Sequence, residues 1–248
     1  MSGLTLLPIG VGDAFSARHY STCLALRAGG RWLLLDCPHP IRKMIREASA
    51  SAGLALDVDA LEAVALTHLH ADHASGVEAL GFYSRYVLGQ RARIAVHPSV
   101  ASRLWDGHLA GSMEWTRSSD GSLRRSRLED FFELVALNDA APVRVGSFSI
   151  ECRSTRHVIP TTALRVTAAG RTLAFSADTE YDPELIAWLA DADLVVHETG
   201  PGIHTSLEAL LALPEPLRRK MRLVHFRDRE ELASADIEPL EQGRVLTV

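Results

Sequence analysis

The chain has 248 residues, 47% of them apolar and 23% charged, a balance that supports a full hydrophobic core and excludes a disordered or collagenous class. Lys plus Arg number 26 against 31 Asp plus Glu, a formal net charge of −5, which is the wrong sign for a protein that grips nucleic acid by global charge. No apolar run approaches the roughly 18 residues of a bilayer span, and the apolar stretch within Met1 to Phe15 lacks the basic lead of a secretory signal, so the expectation is a cytoplasmic protein without membrane association.

In chain order, Thr22 to Arg27 and Arg31 to Asp36 are β-rich runs joined at Gly29-Gly30, a dipeptide suited to the positive φ angles of a two-residue turn. They predict a hairpin that ends in an aspartate. Ile41 to Ser51 has helical periodicity, and Ala63 to Thr67 is a short apolar strand buried on both faces. Ala74 to Val87 predicts a helix, Arg93 to Val96 a strand, and Pro98-Ser99 opens a helix through Leu104. Asp106 to Asp130, rich in Gly, Ser and Arg, reads as an inserted loop near a site, and β character resumes from Val143 to Ser154. The runs Ala163 to Arg165 and Leu173 to Phe175, turning at Gly170, echo the first hairpin. Likewise Leu194 to His197 echoes the strand that runs into His68. The alternation predicts two sheets face to face with helices outside. No linker divides the chain, so residues 1–248 are expected to form one domain. The three cysteines, Cys23, Cys37 and Cys152, sit in apolar runs without CxxC spacing and read as buried thiols.

The strongest signal is Thr67-His68-Leu69-His70-Ala71-Asp72-His73, four ligand-type side chains in six residues after a buried strand. In extended chain His68 and His70 point the same way, and once the chain turns into a helix Asp72 and His73 emerge toward a neighbouring point, so one segment can serve two adjacent metals. This HxHxDH pattern resembles the hallmark of the metallo-β-lactamase superfamily, and the resemblance runs over nearly the whole chain. It implies a four-layer αββα sandwich of the α/β class. Asp36 resembles the family's first-motif aspartate, usually structural. His157 matches the third-motif histidine, Asp178 the bridging aspartate and His225 the last histidine ligand. By resemblance one metal takes His68, His70 and His157, and the other takes Asp72, His73 and His225, with Asp178 shared. Imidazole and carboxylate donors suit Zn²⁺, while Mn²⁺ or Fe²⁺ fit the same ligand types. Two such cations would bring a bridging hydroxide to neutral pH as nucleophile, which Asp72 is placed to orient.

Three features point to phosphorus as the electrophile. Gly10-Val11-Gly12-Asp13-Ala14-Phe15 resembles the glycine-rich opening of the ribonuclease Z and cyclic-phosphodiesterase branch. His197-Glu198-Thr199 and His204-Thr205-Ser206 resemble two of its later segments. The resemblance makes His204 a general acid and Glu198 the residue that orients it. No Gly/Pro-rich arm is present and the charge is acidic, which argues against tRNA and for a small or cyclic phosphodiester. Arg117, Arg124, Arg125 and Arg127 offer phosphate contacts or a solvated surface, and Arg218, Arg219, Lys220 and Arg222 complement a helix C-terminus. His19, His39, His97 and His108 have no assigned role, and His197 reads as structural. Two other functions use the same residues: a thioesterase, lactonase or β-lactamase acting without His204, and a non-catalytic metal-binding or biosynthetic accessory protein. A homodimer is left open.

Overall fold

The computed structural model describes residues 3–228 and 236–248. Strands β1 (Thr5–Gly10), β2 (Cys23–Ala28), β3 (Arg31–Leu35), β4 (Leu61–Leu66), β5 (Ala92–Val96), β8 (Phe132–Ala136) and β15 (Leu246–Thr247) form one sheet in the order β15-β1-β2-β3-β4-β5-β8. A small antiparallel hairpin, β6 (Trp115–Arg117) with β7 (Leu123–Arg125), stands apart from it. Strands β9 (Val143–Val145), β10 (Phe148–Ser154), β11 (Thr162–Ala168), β12 (Arg171–Phe175), β13 (Leu194–Glu198) and β14 (Met221–Val224) form the second, ordered β14-β13-β12-β11-β10-β9. The helices are α1 (Ile41–Ser51), α2 (Ala71–Ala74), α3 (Val77–Tyr86), α4 (Pro98–Leu104), α5 (Ala110–Met113), α6 (Pro183–Leu189), α7 (Leu207–Leu211) and α8 (Glu215–Arg218).

Side-chain alternation explains the layering. On the first sheet Leu24, Leu26, Leu33, Leu35, Ala63 and Ala65 face the second sheet and share a core with Phe148, Ile150, Leu164 and Val166. Their neighbours Ala25, Trp32, Leu34, Val64 and Leu66 face outward, where Ile41, Met44 and Ile45 of α1 and Val77 and Leu80 of α3 cover them. Leu185 and Leu189 of α6 pack on the second sheet. Strands buried on both faces therefore read as unbroken apolar runs, and the result is the expected αββα sandwich.

The Gly29-Gly30 hairpin forms as read, with φ of 59° and 82°, and α1 has the expected bounds. Two readings are corrected. The helix expected from Ala74 to Val87 is interrupted: α2 stops at Ala74 and α3 starts at Val77. Gly76 lies between them, its N–H donating to Cys37 O at 2.7 Å, so close to the Cys37-Pro38 backbone that no side chain fits. Residues 106–130 are not a loop. The chain continues from α4 through a π turn, Trp105–Leu109, into α5 and then the β6–β7 hairpin. Leu104, Leu109 and Met113 are all buried, and the π turn absorbs the five-residue step that hides the period from a 3.6-residue reading.

Strands β3, β4, β5 and β8 are mutually parallel, as are β12, β13 and β14, and β10 runs with β12 because both oppose β11. The C-terminal ends of β3, β4, β10, β12, β13 and β14 are therefore where Asp36, the His68 to His73 segment, His157, Asp178, Glu198 and His225 follow. Chain reversal at that edge is sharp: Asp36, Ala177 and His225 have φ of 62°, 50° and 57°, left-handed conformations that non-glycine residues adopt mostly where the surroundings enforce them.

Candidate metal centre

The seven side chains expected to ligate, separated by up to 157 positions, meet at this edge. His68 Nε2 and His157 Nε2 lie 3.7 and 3.8 Å from Asp178 Oδ2, and His157 Nε2 faces His70 Nδ1 at 3.1 Å. Across Asp178, His73 Nε2 is 3.2 Å from Oδ1 and His225 Nε2 is 3.5 Å from Oδ2. Asp72 Oδ2 completes that side at 3.4 Å from His73 Nε2 and 3.1 Å from His225 Nε2. The donor atoms of these seven thus gather in two groups, His68, His70, His157 and Asp178, and Asp72, His73 and His225, with Asp178 in reach of both, and a third group, Asp178, Glu198, His204 and His225, lies alongside.

Hydrogen bonds on the far ring nitrogens set these directions. Asp36, fully buried, accepts from Thr67 N at 2.8 Å, from Thr67 Oγ1 at 2.9 Å, and from His73 Nδ1 at 2.8 Å. Thr67 Oγ1 is in turn 2.9 Å from His68 Nδ1. With its proton on Nδ1, each imidazole turns the lone pair of Nε2 into the cluster. One carboxylate thereby orients a histidine in each group, the structural role its motif implies.

The cluster's chemistry asks for positive charge. His68 Nε2, His73 Nε2 and Asp178 Oδ1 are buried and have no hydrogen-bond partner among the described residues, a costly arrangement for polar atoms unless a cation satisfies them. Burial lowers the pKa of His68, His70 and His157, keeping them neutral as metal binding requires. Although burial opposes it, His225 and His73 hold Asp72 well below the usual carboxylate range, and His73 does the same for Asp178. Burial also works against protonation of His73 and His225, but the surrounding carboxylates together outweigh it, Asp178 and Asp36 raising the first and Asp178, Asp72 and Glu198 taking the second to about 10.

Glu198 and His204 stand beside this cluster. Glu198, fully buried, takes the Thr179 N–H on Oε1 at 2.5 Å and places Oε2 2.7 Å from His204 Nδ1 and 3.6 Å from His225 Nδ1. His204 Nδ1 is 4.0 Å from Asp178 Oδ2. Burial lowers its pKa, Glu198 raises it, and the net direction is upward.

A cavity of about 300 Å³ opens over the cluster, lined by His70, Asp72, His157, Asp178, His204 and His225 together with Asp13, Phe15, Ile203 and Arg227. Asp13 and Phe15 lie in the glycine-rich segment without having been assigned roles, and Arg227 is an addition: a single arginine two residues after His225 carries no sequence signal of its own. The other candidates lie elsewhere. Arg124 pairs with Asp130 and Arg125 with Glu114, within or beside the small hairpin. Arg218 donates to Leu211 O and Leu213 O at the end of α7, the helix-terminal role expected of it. His97 meets Asp139, His108 reaches Ala74 O, His19 packs on Phe226, and His197 is buried with Nδ1 2.7 Å from Glu198 O. No helix among the described residues is long and apolar enough to cross a membrane.

The fold defines the class, a metallo-β-lactamase-fold protein. The fold is similar to that of the metallo-β-lactamase fold protein YhfI from Bacillus subtilis, with a TM-score of 0.77 at 17% identity over 99% of this chain and 100% of that one. It also resembles human tRNase Z, short form, with a TM-score of 0.67 at 17% identity over 98% of each chain. Within that class, residues 4–242 match the family described as Anti-Pycsar protein Apyc1, and the chain belongs to this family. The Anti-Pycsar protein Apyc1 of Saccharibacillus brassicae is 30% identical over 260 aligned positions, covering 99% of this chain and 100% of the relative.

Proposed function

We propose that the chain is a single-domain phosphodiesterase acting on a small cyclic phosphodiester, a cyclic nucleotide by class, in a cleft that holds two divalent ions. His68, His70 and His157 would hold one ion, Asp72, His73 and His225 the other, with Asp178 between them. Five imidazoles with two carboxylates favour Zn²⁺ over harder cations. A pair of bound cations supplies a water acidified to near-neutral pKa and neutralises charge growing on the phosphate oxygens.

The chain's own part is orientation and proton delivery. Asp72, low in pKa and aimed into the cluster, accepts a hydrogen bond from the attacking water and fixes its lone pair on phosphorus. His204 delivers the proton. Glu198 Oε2 lies 2.7 Å from its Nδ1, so Nε2–H is the nitrogen left to protonate the departing ribose oxygen. An alkoxide needs that proton far more than a thiolate does, so the Glu198–His204 pair beside the donor cluster is the observation that carries a phosphodiester reading over a thioester one. Kinship with anti-Pycsar proteins supports a small cyclic phosphodiester in particular. The test is a substrate panel on purified, metal-analysed protein: cyclic nucleotides and bis(p-nitrophenyl) phosphate against lactones, thioesters and nitrocefin. Turnover of the phosphodiesters is expected. Turnover of a carboxylic derivative alone, or of nothing with two ions bound, overturns the proposal.

A further inference from the structure

The mouth of the cavity carries a second device, unconnected with metal or proton chemistry. Phe15 lines the cavity with 77% of its surface exposed. A lone exposed aromatic is unremarkable by itself, but the backbone of this one is anchored and one face of its ring is covered. Its N–H donates to Asp13 Oδ1 at 3.0 Å, and the other oxygen of that buried carboxylate takes Arg227 Nε at 3.2 Å. Arg227 then lies over the Phe15 ring, 5.4 Å from its centroid. The next residue is anchored as well: Ser16 Oγ donates to Asp228 Oδ1 at 2.6 Å, and Ala17 N to Oδ2 at 2.8 Å. Asp13 N is tied to Phe226 O at 3.1 Å. Gly12 permits the tight path, since a Cβ there would meet Ser16 Cβ at 2.7 Å.

This loop therefore fixes one aromatic ring, backed by one guanidinium, at the entrance of a cavity that on the proposed function takes a nucleotide. The reading rests on that function. Holding the ring in advance avoids an ordering cost on binding, and an aromatic face stacks on any nucleobase. We infer that Phe15, positioned by Asp13 and backed by Arg227, is the nucleobase platform of the cleft, a binding residue that holds whichever base the substrate carries and takes no part in the chemistry.

The inference separates base from phosphate, and so does its test. Wild-type, Phe15→Ala, Phe15→Trp and Arg227→Ala proteins, each with its metal content checked, are assayed on a 3′,5′-cyclic nucleotide and on the cyclic phosphate of methyl riboside, which lacks a base. Phe15→Ala should raise KM for the nucleotide about tenfold, leave kcat within twofold, and leave kcat/KM on the base-free substrate unchanged, while Phe15→Trp restores the nucleotide KM. Equal losses on both substrates in Phe15→Ala, or in Arg227→Ala, assign the loop to the phosphate or to folding and overturn the platform. Calorimetric binding of a cyclic nucleotide phosphorothioate keeps the two failures apart. If wild type hydrolyses no cyclic nucleotide, the proposed function falls. The platform then stands if binding weakens in Phe15→Ala, and falls if binding is absent in wild type or the same in both.

Discussion

Asp36→Asn tests the idea that one carboxylate sets the donor atoms of both ligand groups. Asn is nearly isosteric with Asp and tolerates the left-handed backbone at φ 62°, so the hydrogen bonding and the buried charge change while the shape does not. Because the Thr67 N–H lies 2.8 Å from Oδ1, the amide oxygen stays there and the amide NH₂ takes the Oδ2 position, 2.8 Å from His73 Nδ1. Two N–H groups then oppose each other. The imidazole must move its proton to Nε2, the nitrogen 3.2 Å from Asp178, and the lone pair offered to the cation is gone. Loss of a hydrogen bond to a charged acceptor is worth about 1.5 to 3 kcal/mol, and substitutions of this kind weaken metal binding about 10- to 100-fold, equivalent to about 1.4 to 2.8 kcal/mol. His68 keeps its link through Thr67 Oγ1, so one ion should be lost before the other. Competition titration of zinc against a chromophoric chelator reads both affinities: one site should be about 10- to 100-fold weaker in Asp36→Asn than in wild type and the other unchanged. Two sites of wild-type affinity in the variant would refute the tautomer argument.

His204→Ala should leave two ions bound and lower turnover of cyclic nucleotides about 10²- to 10⁴-fold, while bis(p-nitrophenyl) phosphate, whose leaving group needs no proton, loses little; equal losses on both substrates would remove its role as acid. On the proposed mechanism the protonated His204 is the competent form. Burial lowers its pKa and Glu198 more than offsets this, so the rate holds until pH rises through a value above the ordinary ~6.5. In Glu198→Gln the pH–rate profile should turn down at lower pH, and an unmoved alkaline limb would break the pairing. Gly76→Ala should destabilise the fold by about 1 to 3 kcal/mol in urea unfolding, because its Cβ would sit 2.8 Å from Cys37 O, a backbone atom with no rotamer to yield; an unchanged midpoint would mean that the α2–α3 junction is looser than described.

How much of this was legible in the sequence depends on the range over which each feature is encoded. The αββα layering and the hairpin at Gly29-Gly30 follow from local alternation and local turn chemistry, and the His68 to His73 cluster is a strand running into a helix, readable within seven residues. His157, Asp178 and His225 are different. Each is a single side chain after a strand, and only a family resemblance linked them to the first cluster, because nothing local announces that β4, β10, β12 and β14 end at one edge. The break at Gly76 and the π turn at Trp105–Leu109 were missed for a related reason: both are set by what the helix packs against, Cys37 and Pro38 in one case and the buried Leu104, Leu109 and Met113 in the other.

Arg227 marks the far limit of that reasoning. Its neighbours in sequence give it no pattern, while its partners, Asp13 and Phe15, lie more than 200 positions earlier, brought close because β14 ends where the loop after β1 turns: His225 N donates to Val11 O at 2.8 Å and Gly12 bridges to Phe226. The same contacts seat His225 in the donor cluster. The edge that carries the donor cluster and the cavity mouth are thus built by one piece of backbone pairing. A substitution that disturbs the Val11–His225 pairing should therefore impair metal binding and nucleotide binding together, whereas one confined to the Phe15 side chain should separate them.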